Sequence, residues 1–185
     1  GLNIGFEALD RHVRAGHGER LALRWIGRDD RVREFTYAGL MAQVNRFANL
    51  LRSLGVRKGD RVYSLLGRTP ELYFAALGAL KAGAVFTPLF SAFGPEPIRA
   101  RMEIGEANVL VTSEALYRRK VEAWRGELAS LRHILLTDCA GEAPQGAVAL
   151  EAALVASAED FEWERTLPED MALLHFTSGT TGTPK

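Results

Sequence analysis

Apolar positions follow two alternating periods along this chain of 185 residues. Leu21-Ala22-Leu23-Arg24-Trp25-Ile26 and Val32-Arg33-Glu34-Phe35 are short strand-like runs, and Gly27-Arg28-Asp29-Asp30 between them carries turn residues. Together they predict a β-hairpin, with Arg28, Asp29 and Asp30 forming its turn and not an acid/base pair. Thr36 then stands as an N-cap for a long amphipathic helix. Leu40, Val44, Phe47, Leu51 and Leu54 recur at helical spacing, and Gly55 sits where a C-terminal capping glycine belongs.

The following stretch alternates. Residues 61–66 predict a strand. Thr69-Pro70-Glu71 opens a helix with a cap, a first-turn proline and an acidic residue at the positive end of the helix dipole, running through Leu77 and Leu80 to Gly83. A strand over 84–89 comes next, then a helix from Gly94-Pro95-Glu96-Pro97 through Ile98 and Met102, and a strand at 109–112. Ser113 caps a helix carrying Val121, Trp124 and Leu128; residues 134–137 read as a strand. A Gly/Pro-rich link at 140–146 leads to a helix around 150–158, and 172–176 reads as a final strand. Strands alternating with helices predict an α/β fold: a mostly parallel sheet with helices on both faces, preceded by a small hairpin. Ligands of such sheets sit beyond the carboxyl ends of the strands. No internal repeat has a solenoid period.

Composition narrows the function. Lysine plus arginine equals aspartate plus glutamate at 23 each, so bulk charge argues for neither nucleic acid nor a membrane surface. No apolar run reaches the length of a membrane span, and no secretory leader is expected. A single cysteine, Cys139, makes no intrachain bridge; it points to a structural role and a reducing, cytoplasmic setting. The chain opens on Gly1-Leu2-Asn3 without an initiator methionine, and both ends are expected to be cuts.

Histidines do not form a metal site. His12 and His17 lie in a Gly- and Arg-rich stretch without further ligands and are expected to face solvent. His133 is expected to be structural, and His175 packed and hydrogen-bonded inside the last strand. The charges of Arg99, Arg101 and Glu103 read as a solvated helix face, and Gly83 as a helix cap within Leu80-Lys81-Ala82-Gly83.

The end of the chain is different. Met171-Ala172-Leu173-Leu174-His175-Phe176 runs into Thr177-Ser178-Gly179-Thr180-Thr181-Gly182-Thr183-Pro184-Lys185, which holds four threonines, a serine, two glycines and a lysine. Glycines let the backbone approach a ligand, backbone N–H groups can form an anion nest, hydroxyls add donors and Lys185 adds charge. Small hydroxylated runs also serve as linkers. Here the run follows an apolar strand, ends in Pro-Lys and lacks acidic residues. It is not the common P-loop, which needs four residues between its glycines and a helix directly after; Pro184 disfavours a helix there.

Residues 173–185 resemble the phosphate-binding loop of the adenylate-forming enzymes, a family that includes acyl-CoA synthetases, peptide-synthetase adenylation domains and luciferases. Phe35-Thr36-Tyr37-Ala38-Gly39-Leu40 and Leu80–Leu89 resemble two further family segments in the same order, and Pro88-Leu89-Phe90-Ser91-Ala92-Phe93-Gly94-Pro95 is similar to the short-chain acyl-CoA synthetase branch. The resemblance implies that residues 1–185 are an incomplete N-terminal subdomain of the AMP-binding domain, without the C-terminal lid. It assigns ATP phosphate contacts to Thr177, Ser178, Gly179, Thr180, Thr181, Gly182, Thr183 and Lys185, with no catalytic and no metal-binding residue in this segment. It implies a carboxylate–CoA ligase that takes a small carboxylic acid such as acetate, ATP with magnesium held by residues outside the segment, and coenzyme A. Alternatives are an adenylation domain that loads a carrier protein, or a non-catalytic assembly module. A sheet cut short leaves an apolar face or edge uncovered, so self-association of the isolated segment is expected.

Overall fold

The computed structural model describes residues 2–139 and 141–177. Its centre is a five-stranded parallel sheet of β3 (Arg61–Leu66), β4 (Val85–Phe90), β5 (Val109–Thr112), β6 (His133–Leu136) and β7 (Val148–Ala149). The order is β4-β3-β5-β6-β7. The hairpin β1 (Leu21–Ile26) and β2 (Val32–Thr36) stands apart as a two-stranded antiparallel sheet, its turn closed by the Asp30 N–H donating to Gly27 O.

Successive side chains on a strand point to opposite faces, and both faces here are apolar. Val62, Val109, Val111 and Leu135 face helices α1 (Tyr37–Ser53), α2 (Pro70–Lys81) and α5 (Leu150–Val155). Tyr63, Leu65, Leu110, Ile134 and Leu136 face α3 (Pro95–Ile104) and α4 (Glu114–Lys120).

Helix boundaries follow the predicted signals with exceptions. Thr36 Oγ1 accepts the Gly39 N–H at 3.1 Å and Ser113 Oγ accepts the Leu116 N–H at 3.2 Å. Gly55 and Gly83 close α1 and α2 with positive φ of 74° and 75°, in the left-handed region where glycine carries no steric cost. Thr69 makes no capping bond; its hydroxyl is buried without a partner, and Pro70 alone sets the first turn. α4 stops at Lys120, and Val121, Trp124 and Leu128 are buried from irregular turns around Gly126, a poor helix former. Arg101 is buried, not solvated: it donates to Pro97 O at 2.9 Å and lies 4.5 Å over the Phe93 ring.

Three features have no counterpart in the periodicity. β7 is one. A second is the helical stretch over Phe6–Asp10 and Val13–His17, which places His12 half-buried, 4.7 Å from the Tyr37 ring, with His17 half-buried too. The third is an irregular strap over 156–170. Its carbonyls at Ala158, Glu159 and Asp160 accept from Asn45 and Asn49 of α1 at 2.6–2.8 Å, which satisfies backbone groups that no ladder pairs.

Lys81 joins these parts. It has no solvent exposure, and its ammonium donates to both Asp10 carboxylate oxygens at 2.7 and 2.6 Å and to Asn45 Oδ1 at 2.5 Å. Burial pushes the Lys81 pKa down and Asp10 opposes it. Lys81→Met leaves the Asp10 carboxylate buried and unpaired, so urea unfolding should show a loss of about 3–5 kcal/mol, while Lys81→Met/Asp10→Leu recovers most of it. If the double variant were as unstable as the single, the ion pair would not be the cause.

Tyr63 gives a pH test. Its ring is fully buried, its hydroxyl donates to Arg101 O at 3.1 Å, and burial raises its pKa from 10.0 to about 12. The folded pKa lies above the unfolded one, so this contribution is complete below pH 10 and disappears as pH rises through 12. At most about 3 kcal/mol is lost across that window. In urea titrations at pH 7 and pH 11, Tyr63→Phe should cost about 1 kcal/mol at pH 7 and flatten the alkaline fall; an unchanged fall would refute the assignment.

Candidate functional site

The predicted site begins where residues 172–177 reach the sheet. Leu173 bridges Phe86 of β4 in parallel, with the Phe86 N–H donating to Ala172 O at 2.9 Å and the Leu174 N–H donating to Phe86 O at 3.1 Å. The expected strand over 172–176 is therefore a single bridge. Pro88 supplies the reason. In a parallel ladder alternate residues of one strand face the same neighbour, so Pro88 follows Phe86 toward Leu174, and proline has no N–H to offer its carbonyl. The β3 side of β4 is unaffected, because Thr87 faces that way.

Side chains of the segment alternate strictly. Ala172, Leu174 and Phe176 are half-buried; Met171, Leu173, His175 and Thr177 are exposed. Phe176 packs on the α3/α4 side of the sheet. A Cβ at Gly105 would lie 3.0 Å from Leu174 Cδ2, 3.1 Å from Phe176 Cζ and 1.9 Å from Tyr63 Oη, so only glycine fits where α3 ends. His175 is exposed and not packed as expected, because it shares the face of Leu173.

This parallel course carries Thr177 to the carboxyl end of the sheet, the edge where ligands of such sheets bind. Ser178, Gly179, Thr180, Thr181, Gly182, Thr183 and Lys185 lie outside the described residues.

The same edge holds the turn after β4. Lys120 Nζ donates to Ser91 O and Phe93 O, both at 2.6 Å, and Phe93 sits edge-on to Phe90 with centroids 5.5 Å apart. Phe90, 64% exposed, is thus presented to solvent from a fixed turn. Beside it, the Trp25 indole N–H donates to Arg68 O at 2.6 Å, which ties the hairpin over the end of β3. Sequence reasoning assigned this turn only by resemblance; Lys120 was missed because its acceptors lie 27 and 29 residues away.

Other candidates take structural places. His133 opens β6, and burial, with Arg132 beside it, lowers its pKa. Cys139 is half-buried against the α3/α4 core. Among the described residues no group of three or more His, Cys, Asp or Glu side chains converges on a metal position, and no helix is long and apolar enough to cross a membrane.

A parallel sheet covered by helices on both faces, with Thr177 reaching its carboxyl edge, defines a doubly wound α/β protein. The family model described as AMP-binding enzyme matches residues 9–185, and the chain belongs to that family. It is 41% identical over 192 residues to an acetyl-coenzyme A synthetase of Bacillus subtilis, and 34% identical over 208 residues to that of Syntrophus aciditrophicus. Both matches take in 100% of this chain, against 32% and 30% of the relatives. It therefore spans about a third of their length. Among solved structures, an acyl-CoA synthetase of Brucella canis superposes with a TM-score of 0.88 at 34% identity, covering all of this chain and 32% of that one. An anthranilate CoA ligase in complex with anthranoyl-AMP gives 0.86 at 27% identity, covering 99% and 33%.

Pro88→Ala restores the missing N–H and should extend the bridge into a strand. Amide hydrogen exchange at Leu174 and Phe176 should slow severalfold, with little change in β3. Unchanged exchange at both amides would show that Pro88 is not what limits the pairing.

Proposed function

We propose that this chain is the N-terminal subdomain of the AMP-binding domain of an ATP-dependent carboxylate–CoA ligase that uses acetate or another short acid. The observation that carries this reading is the Thr177–Lys185 sequence following a segment that runs parallel to β4 toward the carboxyl edge. A carboxylate attacks the α-phosphorus of ATP, forming an acyl-adenylate and releasing pyrophosphate; the thiol of coenzyme A then displaces AMP and forms the thioester. Thr177, Ser178, Gly179, Thr180, Thr181, Gly182, Thr183 and Lys185 hold the β- and γ-phosphates, and spread the charge that grows on the leaving pyrophosphate. Magnesium, when bound, neutralises phosphate charge; its ligands are expected outside this segment. The names of the Bacillus and Syntrophus relatives support acetate and coenzyme A. The protein acts in the cytoplasm, and the 185 residues alone are inactive.

Carboxylate-dependent ATP–pyrophosphate exchange tests this on the longer parent protein and on this chain. The parent should exchange with acetate or propionate more than with long fatty acids or amino acids, and this chain should not exchange. Lys185→Ala in the parent should lower exchange by about 10²–10³-fold, the size of one lost donor to developing charge. A folded parent inactive with every acid would overturn the ligase reading; exchange by the isolated chain would overturn its inactivity.

A further inference from the structure

Gly105 is buried at the end of α3, where its own backbone does not call for glycine. Its φ of −91° and ψ of 10° are those of an ordinary turn residue. The left-handed residue of this turn is the next one, Glu106, at φ 47°. A glycine placed for conformation would stand there. Gly105 is therefore a matter of space. A Cβ on it would meet Tyr63 Oη of β3 and, from the terminal segment, Leu174 Cδ2 and Phe176 Cζ. The Tyr63 side of this notch is fixed, because its hydroxyl and the Gly105 N–H both donate to Arg101 O, at 3.1 and 3.0 Å. The other side is the segment itself. The sheet bridges that segment at Leu173, and Leu174 and Phe176 pack beyond the bridge on the way to Thr177.

We propose that Gly105 is a positioning residue for ATP: by leaving room for Leu174 and Phe176, it sets where Thr177 and the hydroxylated run after it meet the β- and γ-phosphates. It touches no reacting atom and acts through the segment. The inference rests on the reading of that run as the phosphate-binding sequence of a carboxylate–CoA ligase. A side chain at position 105 drives Leu174 and Phe176 outward by a few tenths of an ångström, and Phe176 passes the shift to its neighbour Thr177. A misplacement of about 1 Å can cost about 10²-fold in rate, so a shift of this size is worth about tenfold.

Kinetics of the longer parent protein test it. Gly105→Ala is made in a Tyr63→Phe background, which removes the hydroxyl that the new Cβ strikes hardest and leaves Leu174 and Phe176 as its tight contacts. Gly78→Ala is the control: its Cβ would lie 2.7 Å from Phe47 Cδ1 and 3.0 Å from Val44 O, on the other face of the sheet. Relative to Tyr63→Phe alone, the added alanine should raise the KM for ATP in pyrophosphate exchange about tenfold. The KM for acetate, to which no residue of the segment is assigned, should stay unchanged. Gly78→Ala should lower the unfolding midpoint and move neither KM. An unmoved KM for ATP, or equal rises for ATP and acetate, would overturn the proposal. If the Gly105→Ala protein does not fold, Leu174→Ala empties the notch from the segment's side without a clash; a raised KM for ATP alone supports the proposal there, and an unmoved one refutes it. Calorimetric affinity for ATP is read on the same proteins. Weaker binding with the alanine, in a parent that exchanges with no acid, would uphold the positioning role while the ligase reading fails. An active parent with an unmoved KM for ATP would do the reverse, and a folded parent that binds no ATP would overturn both.

Discussion

Burying the Lys81 ammonium is the constraint on which the arrangement of this molecule depends. A lysine without solvent contact is tolerated only when its charge and all three donors are answered. The answers come from separate parts of the chain: Asp10 from the N-terminal helical stretch and Asn45 from the middle of α1. Asn45 in turn donates to Glu159 O, drawing in the strap. Asn3 adds bonds to Leu80 O at 3.0 Å and Glu164 O at 2.9 Å. No segment can be displaced without leaving a polar group unpaired in an apolar surround. Such a network adds little to net stability compared with apolar packing. Here it fixes which segments stand next to one another.

This explains what was legible in the sequence and what was not. The hairpin, the caps at Thr36 and Ser113 and the strands β3 to β6 are set by patterns within about ten residues, and periodicity finds them. Lys81 drew no reading of its own in the run assigned to the Gly83 cap, because its partners lie 71 and 36 residues away. Arg101 looked solvated for a different reason: its partners are near in sequence, but helical periodicity does not show that the turn before α3 folds the Phe93 ring beneath it. The strap has no periodicity, since it is held by asparagines on α1 and not by a ladder of its own. At the candidate site, the apolar course of 172–176 was legible, but its pairing was not. That depends on which neighbour Pro88 faces, a matter of sheet order.

Both halves of the terminal segment follow from its place beside β4. Toward the carboxyl edge it carries Thr177 to where parallel sheets present ligands. Toward the amino end it exposes Met171 and Leu173 on a face whose continuation is buried under α2. Phe86 holds it at one bridge, and Gly105 admits Leu174 and Phe176 on the opposite face. A segment bridged at one residue and packed on one face takes its direction from the sheet, so the position of Thr177 follows from the Phe86 bridge and from the space that Gly105 leaves for Leu174 and Phe176.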